Sequence, residues 1–223
     1  TAVFGSAGPS RPPVFVVGLP RAGTTLFYQA LCHAYAFSYP TQLTDWLPFL
    51  PTVATRLTYR AQYVSDFTSD YGRTANRSDP AESVMWNLWL DPETQYRSAN
   101  ELSARTRAAL IGLVGRIERV GGRPFINKNL RNTQRLPVLA ELFPTAVFPV
   151  VVRDPLEVAL SLLRGRIERH GSETTWLSVR PRNGSPVPNE SPSAEVARQV
   201  KGLHEDLLED MHAIGPDRFF VVS

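Results

Sequence analysis

The strongest apolar run opens near the N-terminus, at Val14-Phe15-Val16-Val17-Gly18. It reads as a short strand buried on both faces. Leu26, Phe27, Ala30, Leu31 and Ala34 then recur at helical spacing and predict a helix over 24–36, with Thr24 available as its cap. A helix over 101–120, opened by Asn100 or Ser103 and closed by Gly121-Gly122, leads to a strand over 123–127 that delivers Lys128. A helix over 133–143 precedes a strongly apolar strand over 146–152. Pro149 inside that strand predicts a bulge or an edge position. Asp154-Pro155 starts a helix over 155–169, and after a Pro-, Gly- and Asn-rich loop at 171–193 come a helix over 194–214 and a strand over 218–222.

Strands alternating with helices predict an α/β protein of three layers, α/β/α, around a central, mainly parallel sheet. No internal repeat is visible. Residues 1–13 read as a loose Gly-, Ser- and Pro-rich leader, and 14–223 as a single domain. Ser223 falls at the end of the last strand, so further C-terminal structure is expected.

The stretch 37–81 breaks the periodicity with prolines, and many of the aromatics, from Tyr35 to Tyr71, fall in it or just before it; a helix around 50–64 is expected inside it. Asp79-Pro80-Ala81-Glu82 then has the signature of a helix start, with Asp79 as cap, Pro80 at the first position and Glu82 at the third, running to about Leu90.

Composition narrows the function. Hydrophobic residues make up 43% of 223, enough for a sizeable core. No run of eighteen apolar residues occurs, so no membrane-spanning helix is expected. The single cysteine, Cys32, and the lack of a basic-then-apolar leader point to a reducing, cytoplasmic setting. Lys128 and Lys201 are the only lysines, so 22 of the 24 basic residues are arginine, the better bidentate partner for phosphate or sulfate. These charges are spread along the chain, and a nucleic-acid surface is not indicated.

Gly18 and Gly23 keep the spacing of a phosphate-cradling loop between a strand and a helix. The Lys-Ser/Thr pair of nucleotide-hydrolysing loops is replaced by Thr24-Thr25, which argues against ATP or GTP hydrolysis. Lys128 and Arg153-Asp154 fall, with this loop, at the C-terminal ends of predicted strands, where open α/β sheets bind ligands.

Pro20-Arg21-Ala22-Gly23-Thr24-Thr25-Leu26, together with Arg153-Asp154-Pro155 and Ser161, resembles the motif pair of sulfotransferases that use 3′-phosphoadenosine 5′-phosphosulfate (PAPS). The likeness is to the bacterial and protein-tyrosine-type branch. It implies a P-loop-like loop, Pro20 to Leu26, that holds the 5′-phosphosulfate, with Arg153 and Ser161 on the 3′-phosphate. It implies PAPS as co-substrate, no metal, and catalytic roles for Arg21, for Lys128 at the leaving oxygen and for Glu82 as the carboxylate base. Asp45, Asp79 and His170 are the reserves for that base. Lys128-Asn129-Leu130-Arg131-Asn132 has neither the Pro nor the His that commonly follows the lysine in the family. The implied acceptor is a hydroxyl or amine on a small molecule, lipid or carbohydrate. The competing readings are a P-loop kinase or nucleotide-binding protein and a non-enzymatic anion-binding module.

Overall fold

A computed structural model describes residues 7–60, 62–69, 74, 76–90 and 98–223. Tyr71 lies outside them, as do the first six residues of the leader.

The elements follow in the order β1 (Val14–Gly18), α1 (Thr24–Ala34), α2 (Leu43–Trp46), α3 (Pro51–Thr58), α4 (Ala104–Gly121), β2 (Ile126–Lys128), α5 (Leu136–Leu142), β3 (Phe148–Val151), α6 (Pro155–His170), α7 (Pro192–Ile214) and β4 (Phe219–Val222). The described strands form one parallel sheet in the order β2-β1-β3-β4. Helices flank the sheet, as the alternating pattern predicts.

The chain leaves β1 toward β2 on one side and returns to β3 on the other. The crevice beyond the carboxyl ends of β1 and β3 is therefore the topological switch point of the sheet. Phe15 is fully buried at the centre, ringed by Trp86, Phe125, Phe143 and Phe148 with ring centroids 5.5–6.2 Å away. Burying a phenylalanine side chain contributes about 2–3 kcal/mol, which fixes β1 as the axis of the fold.

Pro149 departs from expectation. It lies on an interior strand, opposite Phe220 of β4. Its missing N–H falls on the β1 side. There the pairing is split into Val14 opposite Val147 and Val17-Gly18 opposite Val150-Val151.

The helix expected from Asp79 to Leu90 does not form. Gln42 N–H donates to Asp79 O at 3.0 Å, Ala81 N–H donates to Pro40 O at 2.8 Å, and Pro80 bridges Thr41. These long-range bonds take up the backbone that a helix start would need, so tertiary pairing overrides the local cap signature. Only a 3₁₀ turn at Val84–Leu88 follows, with the Ser83 hydroxyl as its cap. Glu82 therefore sits in irregular structure and not in a first helical turn.

The other expected helices at 50–64 and 133–143 shorten to α3 and α5. Part of the stretch read as a leader contacts α4. The Glu118 carboxylate accepts from Ser10 N–H at 2.6 Å and Arg11 N–H at 3.1 Å, which ties that stretch along α4.

Candidate active site

The loop after β1 begins with a close approach. A Cβ on Gly18 would meet the Val151 carbonyl at 2.5 Å, and its φ of +150° suits glycine. Thr133 Oγ1 accepts from Gly18 N–H at 3.0 Å and donates to Gly18 O at 2.9 Å, which anchors the loop's first residue. Arg21, with φ 66°, and Gly23, with φ 95°, both take left-handed backbone to turn the chain into α1. Gly23, not Thr24, is the N-cap, and no side chain caps the helix. No acidic residue lies in its first turn, so the positive end of an 11-residue helix opens onto the crevice.

Side chains add charge to that end. Lys128 is 96% buried, yet its Nζ donates to Thr25 Oγ1 at 2.9 Å and pairs with the Glu82 carboxylate. Arg21 Nε donates to Ser161 Oγ of α6 at 2.9 Å. Arg153 reaches the Arg21 carbonyl at 3.4 Å through Nη1 and donates from Nε to Glu157 at 2.7 Å. The Asp154 side chain caps α6, accepting from Leu156 and Glu157 N–H groups at 2.9 and 3.1 Å.

Arg21, Thr25, Glu82, Lys128, Arg153 and Ser161 border one cavity of about 630 Å³. Its lining brings in Pro20, Arg21, Gly23, Thr24, Thr25 and Leu26 from the loop, Lys128 from β2, and Arg153 and Ser161 from the start of α6. Glu82 is the single carboxylate among the described lining residues, against Arg21, Lys128, Arg153 and Arg169. The cavity therefore suits an anion with more than one negative group. Ala22 is placed differently: it is buried, and its N–H is taken by Leu19 O at 3.2 Å inside the turn. Of the reserve bases, His170 lines the cavity. Asp45 accepts from Val84 N–H at 2.8 Å, and buried Asp79 accepts from Asn76 N–H at 3.3 Å.

Residues flanking Lys128 emerge as part of the site only in three dimensions. Asn127 Nδ2 donates to Ala81 O at 3.1 Å and Glu82 O at 3.3 Å. Asn129 Nδ2 donates to Glu82 O at 3.0 Å and Ser83 O at 3.3 Å. Asn127 Oδ1 accepts from Trp86 Nε1 at 3.0 Å and Asn132 Nδ2 at 3.1 Å, so the clamp is itself fixed in the core. The carbonyls that Asn127 and Asn129 hold lie more than forty residues earlier, so no local pattern in Asn127-Lys128-Asn129 reports them. Arg169, Leu177 and Ser178 close the far side of the cavity from the end of α6 and the loop after it, and nothing in the pattern singles them out. Among the described residues, no group of three or more His, Cys, Asp or Glu side chains is placed to hold a metal ion.

A model of the sulfotransferase family matches residues 12–223, nearly the whole chain. The chain belongs to the sulfotransferase family. Similar solved structures include a sulfotransferase domain from the curacin biosynthetic pathway, 17% identical with a TM-score of 0.49. They also include the sulfotransferase STF9 from Mycobacterium avium, 15% identical with a TM-score of 0.50. Each alignment covers 96% of this chain but only 67% and 59% of those longer chains, respectively. At these identities the second likeness speaks for the fold. No curated protein sequence matches the chain.

In this member of the family, both expected motifs meet at one cavity on the switch-point edge of the sheet. Among the described residues, no helix is long and apolar enough to cross a membrane.

Proposed function

We propose that this chain binds PAPS in the cavity at the β1–β3 edge and transfers its sulfuryl group to a hydroxyl or amine acceptor. The observation that carries the proposal is the bond from Arg21 to Ser161, which joins the loop after β1 to the first turns of α6. An ordinary phosphate loop needs only its own helix. Here two anion-binding segments, 140 residues apart, border one cavity.

The donor set fits a ligand with two separated anionic ends. The uncapped start of α1, Thr24 and Thr25 suit one end; Arg153 and Ser161 suit the other, with Arg21 between them. The bound donor would supply an activated sulfuryl group. Lys128 Nζ, beside Thr25, would hold the charge that grows on the departing phosphate oxygen. Glu82, fixed by Asn127 and Asn129 through its own carbonyl, would take the proton of the acceptor hydroxyl as the new oxygen–sulfur bond forms. Burial of Lys128 keeps its ammonium out of bulk water, which strengthens its pull on a nearby anion.

The test is a transfer assay with radiolabelled PAPS and a panel of phenol, sugar and lipid acceptors, run on the protein and on Glu82→Gln. Loss of a general base lowers turnover by about 10²- to 10⁴-fold. Binding of 3′-phosphoadenosine 5′-phosphate should persist in the variant. Unchanged turnover in Glu82→Gln would remove Glu82 from the mechanism.

A further inference from the structure

Among the described residues, a cluster of exposed large apolar side chains lies on α2, α3 and the connection between them. Trp46 is 69% exposed, Phe49 81% and Leu57 72%. Leu47, Leu50 and Val53 are also exposed. Leu50, Val53 and Leu57 follow helical spacing along the outer face of α3, while Ala54 and Thr55 are buried on its inner face. Large apolar residues clustered in this way mark a binding surface.

Arginines outnumber carboxylates around the patch, where Asp45 of α2 is the one acidic residue on the two helices. Arg56 and Arg60 are exposed on and just beyond α3. The Arg77 guanidinium lies 5.1 Å from the centre of the Trp46 ring. No Asp or Glu occurs from Trp46 to Ser65. Asp45, next in sequence, is engaged by Val84 N–H. A Trp- and Phe-bearing apolar face rimmed by arginine has the composition of an interfacial, membrane-surface element. A second copy of the chain would set the same arginines against one another, which disfavours self-association through this face.

We propose that the α2–α3 face docks on an anionic lipid bilayer, with Trp46, Phe49 and Leu57 in the headgroup–acyl boundary and Arg56, Arg60 and Arg77 on lipid phosphates. The inference stands on these exposed residues and does not depend on the sulfotransfer reading. It does have a consequence for the cavity. Thr44 of α2 shares a 3.2 Å hydroxyl contact with Ser83, and Asp45 holds Val84, so the membrane face would abut the segment carrying Glu82.

The experiment is flotation with phosphatidylcholine–phosphatidylglycerol vesicles and with pure phosphatidylcholine vesicles, together with tryptophan emission. The expected result is binding to the anionic vesicles and a blue-shifted emission that Trp46→Phe abolishes. Phe49→Ser and Leu57→Ser should abolish flotation while leaving the thermal midpoint in place, since both side chains face solvent. Arg56→Gln and Arg60→Gln should each weaken vesicle affinity about five-fold, the equivalent of about 1 kcal/mol per charge near the surface. High salt should weaken binding in the same direction. Absence of flotation on anionic vesicles, or flotation unchanged by Phe49→Ser and Leu57→Ser, overturns the proposal. So does a dimer in sedimentation velocity that Leu57→Ser dissociates, because a second copy would then own the face.

Discussion

Arg21 Nε donates to Ser161 Oγ at 2.9 Å, linking the turn after β1 to a helix that begins more than 130 residues later. Arg21 is held for this contact in left-handed backbone, with φ 66°. A non-glycine residue there carries a cost of about 1–3 kcal/mol, and such strain clusters at functional sites. Arg21→Ala should therefore weaken binding of 3′-phosphoadenosine 5′-phosphate by about 10- to 100-fold, the scale of a lost charged hydrogen bond. The thermal midpoint should shift little by comparison. Titration calorimetry and a melting curve on the same variant check both halves.

Gly18 sets how closely the loop can approach β3. Gly18→Ala would place a Cβ 2.5 Å from the Val151 carbonyl, on a strand with no room to retreat. Thr133, bonded to both polar groups of Gly18, would be displaced with it. We expect a loss of stability above about 2 kcal/mol and loss of ligand binding at temperatures where the variant is still folded. Denaturant unfolding and calorimetry, run together, separate the two effects.

Strong apolar periodicity made β1, α4, α6, α7 and β4 legible in the sequence, because each has a run or stripe that only one period fits. The loop 18–25, Lys128 and Arg153 were legible for a related reason: they follow apolar strands, and parallel sheets put such ends on one edge. Glu82 was found from its neighbours, but in the wrong local structure. Asp79 and Pro80 carry helix-start chemistry, yet Asp79 and Ala81 pair with Gln42 and Pro40 and Pro80 bridges Thr41, about forty residues earlier. No local signal reports that pairing. Asn127 and Asn129 escaped notice for the same reason, since their partners lie more than forty residues away. Pro149 misled because a proline on an interior strand is uncommon, and here its cost is confined to one missing bond.

Cys32 lies in the core on α1, and burial pushes its thiol well above the ordinary range. The thiolate is the reactive form, so the native protein should resist a disulfide reagent at mildly alkaline pH. Full labelling of one thiol is expected only after unfolding. Fast labelling of the native protein would contradict the described packing of α1 against the sheet.

The loop after α6 has a pH-sensitive fastening. Arg198 of α7 holds Glu190 through three short hydrogen bonds, 2.6–3.2 Å, and keeps its carboxyl below the usual range. The folded value is the depressed one, so the contribution is present above the unfolded value and is lost as pH falls through the folded one. Protection of the amides across 185–191, taken relative to their intrinsic exchange rates at each pH, should therefore fall on acidification below about pH 4, the usual carboxylate range. Glu190→Gln should show fast exchange already at neutral pH. Protection of the loop that stays constant across this pH range in the unaltered protein would rule out this fastening.

The central claim is a cavity built for two anionic ends. Calorimetric titration of the protein with 3′-phosphoadenosine 5′-phosphate, with 5′-AMP and with Mg²⁺-ATP tests it most directly. The account predicts measurable binding of the first, weaker binding of 5′-AMP by at least about tenfold, equivalent to about 1.4 kcal/mol, and equalisation of the two in Arg153→Ala. Binding of Mg²⁺-ATP as tight as that of 3′-phosphoadenosine 5′-phosphate, or no preference for the 3′-phosphate, would contradict it.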